Sequence, residues 1–128
     1  AFGPEHPTIA KDLNGLALSY RAQGKLSGVE PLYRRALTID EKALGPDSPE
    51  VAADLDALAW FYYQQEKYAE AEPLYRRALA IKEKWGAGLP AVADAAEDLA
   101  DALRKLDRDA EAEAYDEQAA RIRAKKKQ

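Results

Sequence analysis

The chain contains no cysteine and no methionine, and it has a single histidine. It also lacks any apolar run near the roughly 20 residues that a bilayer-spanning helix needs. Each absence removes a class of function. Without cysteine there is neither a disulfide framework nor a thiolate zinc site. His6 is the sole imidazole and lies between prolines, so a Ser-His-Asp or Cys-His arrangement has no support and His6 reads as a turn residue. No glycine-rich phosphate loop precedes a helix, and no acids stand at metal-ligand spacing. Pairs such as Glu70 and Glu72 read as ordinary helix-surface acids. A non-enzymatic chain with no cofactor and no metal is therefore expected. Cations are not in surplus: 19 Lys and Arg stand against 23 Asp and Glu, which argues against nucleic acid as a partner. No signal peptide is visible, so a cytoplasmic location away from membranes is expected. The missing methionine and a start inside a linker suggest a piece cut from a longer protein, and the Lys125 to Gln128 end reads as a frayed helix terminus.

What the chain does have is repetition. Gly45-Pro-Asp-Ser-Pro-Glu-Val-Ala52 echoes Gly3-Pro-Glu-His-Pro-Thr-Ile-Ala10 at an offset of 42 residues. Glu72-Pro-Leu-Tyr-Arg-Arg-Ala-Leu79 repeats Glu30 to Leu37 at the same offset. A fainter third copy runs from Leu89 to Glu113 with one residue deleted. Such a period means one supersecondary unit stacked on itself. The repeats run over about 3–44, 45–86 and 87–125, within a single domain covering 1–128.

Each repeat reads as two helices. Glycine and two prolines at 45–49 stop one helix and start the next, with Ser48 as cap and Pro49 in the first helical position. The helices of repeat two are expected over 49–65 and 68–84, around a turn at Glu66-Lys67. Val51, Leu55, Leu58, Ala59 and Tyr62 share one face of the first helix. Ala71, Leu74, Tyr75, Ala78, Leu79 and Ile81 share the inner side of the second. Repeat one gives helices near 7–23 and 27–43, and repeat three near 90–106 and 110–125. Pro31 and Pro73 fall in the first turn or so of their helices and predict a slight kink without a break. Gly15 and Gly28 weaken the first repeat, each by roughly 1 kcal/mol.

These residues resemble the tetratricopeptide repeat family, in the 42-residue variety of kinesin light chains. The resemblance covers essentially the whole chain and implies an all-α, right-handed α-solenoid of three helix-turn-helix repeats, six antiparallel helices in all. The family pattern falls on Leu13, Leu16, Ala17, Tyr20, Val29, Tyr33 and Ala36 in repeat one. In repeat two it falls on Leu55, Leu58, Ala59, Tyr62, Ala71, Tyr75 and Ala78, and in repeat three on Ala96, Leu99, Ala100, Leu103, Ala112, Asp116 and Ala119. Asp116 stands where an aromatic is expected, and Asp109 where repeat two has Tyr68. A polar outer helix suits a capped end.

The resemblance also implies a concave groove lined by the first helix of each repeat. Its positions are Lys11, Asn14, Leu18 and Arg21; then Ala53, Asp56, Trp60 and Tyr63; then Asp94, Glu97, Asp101 and Arg104. Spacings of three, four and three put each set on one helical face. Trp60 and Tyr63 are candidate anchors, because large amphipathic rings bury much area at little entropic cost; Phe61 and Tyr62 read as core. Asp56, Asp94, Glu97 and Asp101 would form an acidic wall, with Lys11 and Arg21 toward the other end. Asn14 matches the family's groove asparagine, whereas Asp56 and Glu97 replace it. The expected role is a protein- or peptide-binding adaptor or scaffold whose ligand has an apolar anchor and at least one Lys or Arg. The alternative is self-association through exposed end repeats. Arg34-Arg35 and Arg76-Arg77 recur with the repeat and read as surface cover through their aliphatic stems.

Overall fold

The structure is a computed structural model and describes residues 6–126; linker residues 3–5 and the closing Lys127-Gln128 lie outside them. Six α-helices are described: α1 (Pro7–Ala22), α2 (Val29–Leu44), α3 (Pro49–Gln64), α4 (Tyr68–Gly86), α5 (Pro90–Lys105) and α6 (Asp109–Lys126). A single 3-10 turn, Leu26–Gly28, leads into α2. No strand occurs among the described residues. The chain forms two compact units, residues 1–58 and 59–128, with the division inside α3.

The helix ends follow from local chemistry. The Ser48 hydroxyl accepts a hydrogen bond from the Val51 N–H at 3.2 Å, and Pro49 takes the first position of α3. His6 does the same work for α1: its Nδ1 accepts from the Thr8 N–H at 3.1 Å. At α5 the corresponding residue is Leu89, which has no side-chain acceptor to offer. Helix α2 begins at 29 and not 27, because the chain first makes the 3-10 turn and Gly28 has no side chain with which to cap. Helix α4 runs on to Gly86, two residues past the expected end. Pro31 is the third residue of α2, where the missing N–H would have had no helical partner. Pro73 is the sixth residue of α4, beyond those orphan donors, yet the helix continues through it.

The turn inside each repeat closes in the same way. Gly24, Glu66 and Asp107 all lie in the left-handed region, at φ of 74°, 63° and 60°. The following N–H reaches back over the turn: Lys25 to the Tyr20 carbonyl at 2.8 Å, Lys67 to Tyr62 at 2.9 Å and Arg108 to Leu103 at 2.9 Å. These are Schellman closures, which satisfy carbonyls that a helix end otherwise leaves bare. Only the first uses the residue that enters this region without steric cost.

In the first unit, Ala10 and Leu13 of α1 pack on Ala36 and Ile39 of α2, with Ile9 and Leu32 beside them. Ala17, Val29 and Tyr33 are also buried. In the second unit α5 packs against both α4 and α6. Ala71 and Ala78 of α4, Ala96 and Ala100 of α5, and Ala112 and Ala119 of α6 are all buried. Small side chains at these points let helix backbones approach, and Leu99, Leu103, Tyr75 and Ile81 fill the space around them. Two expected core positions of α1 fail. Leu16 is 42% exposed, whereas its register equivalents Leu58 and Leu99 are fully buried. Tyr20 is likewise only half-buried while Tyr62 is buried.

Candidate functional site

The second unit presents an aromatic platform. Trp60 lies near the end of α3 and is 47% exposed, while its neighbours Phe61 and Tyr62 are buried. Helical geometry separates them: Trp60 and Tyr63 are three residues apart and share the outward face. Their rings stack with centroids 5.6 Å apart and planes 13° from parallel. Tyr68, the first residue of α4, meets Tyr63 edge-on at 5.1 Å. The Lys105 ammonium sits 5.8 Å from the Tyr68 ring centroid, within cation–π range. Tyr68 and Lys105 are not among the groove positions expected from the sequence. They come from across the hairpin turn and from the end of α5, so no single-helix periodicity joins them to Trp60. The indole is stacked on Tyr63 while about half of the Trp60 surface stays exposed, an arrangement suited to receiving an apolar or aromatic side chain.

The acids of α5 are not left unmatched. Arg123, near the end of α6, pairs with Asp94 at 2.8 Å and with Glu97 at 2.6 Å. The hydrogen bond from Arg123 holds the Glu97 carboxyl below the usual glutamate range. Asp101 pairs with Arg104 at 3.4 Å, and Arg104 also pairs with Asp116. Three acids of the expected acidic wall, Asp94, Glu97 and Asp101, are thus balanced within the second unit by two arginines, while the fourth, Asp56, belongs to the first unit. The Arg104–Asp116 pair also accounts for the lost aromatic: in the first repeat the equivalent Arg21 donates to the Tyr33 hydroxyl at 3.3 Å, and in the third the aspartate accepts in the tyrosine's place. Arg76 departs from the surface-cover reading. Its guanidinium bonds Glu72 on its own helix at 2.9 Å and the Tyr115 hydroxyl of α6 at 2.8 Å, and Glu111 lies 3.5 Å away. Arg108 bonds the same Glu111 at 2.8 Å, which completes a polar strap between α4 and α6.

In the first unit, Lys11 is exposed and Leu18 is 56% exposed, both on α1. Ala53 is exposed and Asp56 half-buried on α3. Asn14 is half-buried, and its amide donates to Asp54 at 2.8 Å. Asp54 was not anticipated as an interior residue. It is 4% exposed, as is Asp40 of α2. Burial first, and the neighbouring Asp40 carboxyl second, push its pKa up to about 8, against the lowering effect of Asn14. Its Oδ2 is buried and has no hydrogen-bond partner. A proton on that oxygen, shared toward Asp40, removes the conflict.

The described residues contain no cluster of three or more His, Cys, Asp or Glu that could hold a metal ion. Among them, no helix is long and apolar enough to cross a membrane.

The repeat pattern, the paired helices and their Schellman closures define a class of protein built from stacked helical hairpins. The family model for the tetratricopeptide repeat matches residues 14–84 and 61–125, so the chain belongs to the tetratricopeptide repeat family. No curated protein sequence matches it. Among solved structures it is similar to BtubC (BKLC) from P. vanneervenii, with 25% identity over 97% of this chain and 50% of that one, at a TM-score of 0.88. It is also similar to the nearly identical repeats of a putative kinesin light chain from Podospora anserina, with 26% identity over 94% of this chain and 58% of that one, at a TM-score of 0.80. The TPR domain of Arabidopsis FLU is 18% identical at a TM-score of 0.74, with 91% of this chain and 97% of that one covered, and it shares the fold alone. The chain spans between half and three fifths of the first two proteins. These likenesses make the fold an all-α helical repeat of kinesin light chain-like type. Such repeats generally serve as protein–protein interaction modules and not as catalysts.

Proposed function

We propose that the chain is a non-enzymatic adaptor or scaffold module that captures a partner segment on the outward faces of its leading helices, with Trp60 and Tyr63 as anchor. The observation that carries this reading is the exposed, pre-stacked Trp60–Tyr63 pair, braced by Tyr68. A half-exposed tryptophan held rigid by its neighbours loses little freedom on binding. The segment it suits has an apolar or aromatic side chain for the platform and a Lys or Arg that competes with Arg123 for Asp94 and Glu97. On α1, Lys11, Asn14, Leu18 and Arg21 are the corresponding contact positions. Selection of random short peptides against the whole chain and its Trp60→Ala variant tests the proposal. Ligands recovered on the parent chain should lose most of their binding on the variant, whose helical circular dichroism stays intact. Equal affinity for both proteins overturns it.

A second reading has one observation in its favour. Leu16 leaves apolar surface on α1 at a position whose equivalents Leu58 and Leu99 are buried, and Leu18 adds to that surface. This suits self-association, or stacking on another helical hairpin. Sedimentation that depends on concentration in the parent chain and not in Leu16→Lys would support it.

A further inference from the structure

We propose that the cleft between the α4–α5 turn and α6 is a second docking site, for a protein segment that carries a carboxylate side chain beside an apolar residue. Ala87 and Gly88 form one wall of the cleft, and Gln118, Arg121, Ile122 and Lys125 the other. Arg121 and Lys125 are four apart on α6 and so project from the same face. Both are exposed and, among the described residues, neither has an acidic partner. Arg104, Arg108 and Arg123 of the same repeat all do. Glu83 at the margin of the cleft accepts from the Gln118 amide at 3.3 Å. The cleft therefore offers two uncommitted cations to a visiting acid.

Size and surroundings say what brings that acid. The cavity measures about 250 Å³, below the roughly 300–1,000 Å³ of sites that enclose a free small molecule. It accommodates one side chain of a larger ligand. Trp85 and Leu89, which bracket the turn, are 61% and 48% exposed. Leu89 is folded onto Gly86 so closely that a Cβ there would come within 2.9 Å of its side chain, so the turn's shape is set. The preceding inter-repeat turn carries Asp47 and the capping Ser48; this one carries neither, and gains an exposed tryptophan instead. Cationic walls flanked by large apolar side chains complement an acidic-apolar segment in both charge and hydrophobicity. None of the lining residues belongs to the Trp60 platform.

The test is a selection of random short peptides on the whole chain carrying Trp60→Ala, so that ligands of the aromatic platform do not dominate. Peptides with Asp or Glu next to an aliphatic or aromatic residue should be recovered. They should bind the parent chain and Trp60→Ala equally, and bind about tenfold more weakly or worse when Arg121→Glu and Lys125→Glu are combined. The milder pair Arg121→Gln and Lys125→Gln should weaken them in the same direction, and both pairs alter exposed positions that leave the core intact. Trp85→Ala should weaken them too, and added salt should reduce affinity. Recovery of no acidic-apolar peptide, or undiminished binding to the double charge reversal, overturns the proposal. Because the readout is taken without Trp60, it fails or succeeds independently of the aromatic platform.

Discussion

Replacing Asp54 with asparagine tests the buried acid pair of the first unit. Asparagine keeps the size of the side chain and still accepts from the Asn14 amide, and it can donate to Asp40 at every pH. In the parent chain the folded protein holds a proton on Asp54 up to about pH 8, while the unfolded chain releases it near the ordinary 3.8. Between those values the native state binds one proton more than the unfolded state. Stability is therefore greatest below the unfolded value and declines as pH rises through the window. The slope is about 1.4 kcal/mol per pH unit, or roughly 4 kcal/mol from pH 5 to pH 8. Relaxation around the new charge trims this toward ~2 kcal/mol. Urea unfolding followed by far-ultraviolet circular dichroism at several pH values measures it. The parent chain should lose stability steadily across the window, and Asp54→Asn should run nearly flat and overtake it at the alkaline end. The chain has only one histidine, so few other groups titrate there. Parallel curves for the two proteins would refute the reasoning.

Other expectations concern the backbone and the core. Glu66→Gly relieves a left-handed residue at φ 63° and should stabilise by about 1 kcal/mol, less the entropy glycine adds to the unfolded chain, so a small rise in thermal midpoint is expected. Gly15→Ala places a methyl in open space on the exposed face of α1 and should add about 1 kcal/mol in the same assay. Leu99→Ala empties a fully buried site on α5 and should cost about 2–5 kcal/mol, seen as a lower urea midpoint.

The repeat made most of the fold legible. Punctuation by Gly45, Pro46, Ser48 and Pro49 fixed the joint between repeats, and three-four spacing marked the buried faces of α3 and α5. Leu16 escaped because periodicity says which residues share a face, not whether anything covers that face. Asp54 escaped for a related reason. Its equivalent in the third repeat, the buried Ala95, marks the position as interior, but an aspartate reads as a surface residue until that register is compared. Asp40 occupies the place of Lys82 and Arg123 in the later repeats, and this sign reversal was the available clue. The partners of Asp94, Glu97 and Asp116 depend on long arginines whose reach no spacing rule encodes. Trp60 was legible as outward-facing from its offset against Phe61 and Tyr62, but its bracing by Tyr68 and Lys105 required the tertiary arrangement.

Two tryptophans give two indole N–H resonances, which makes the decisive measurement a simple one. A peptide selected on the parent chain for its apolar anchor and basic residue is titrated into labelled protein, and the two signals are followed. The Trp60 indole should shift progressively to saturation while that of Trp85 stays in place. Saturable binding that leaves Trp60 unmoved would contradict the assignment of the stacked platform as the site of partner capture.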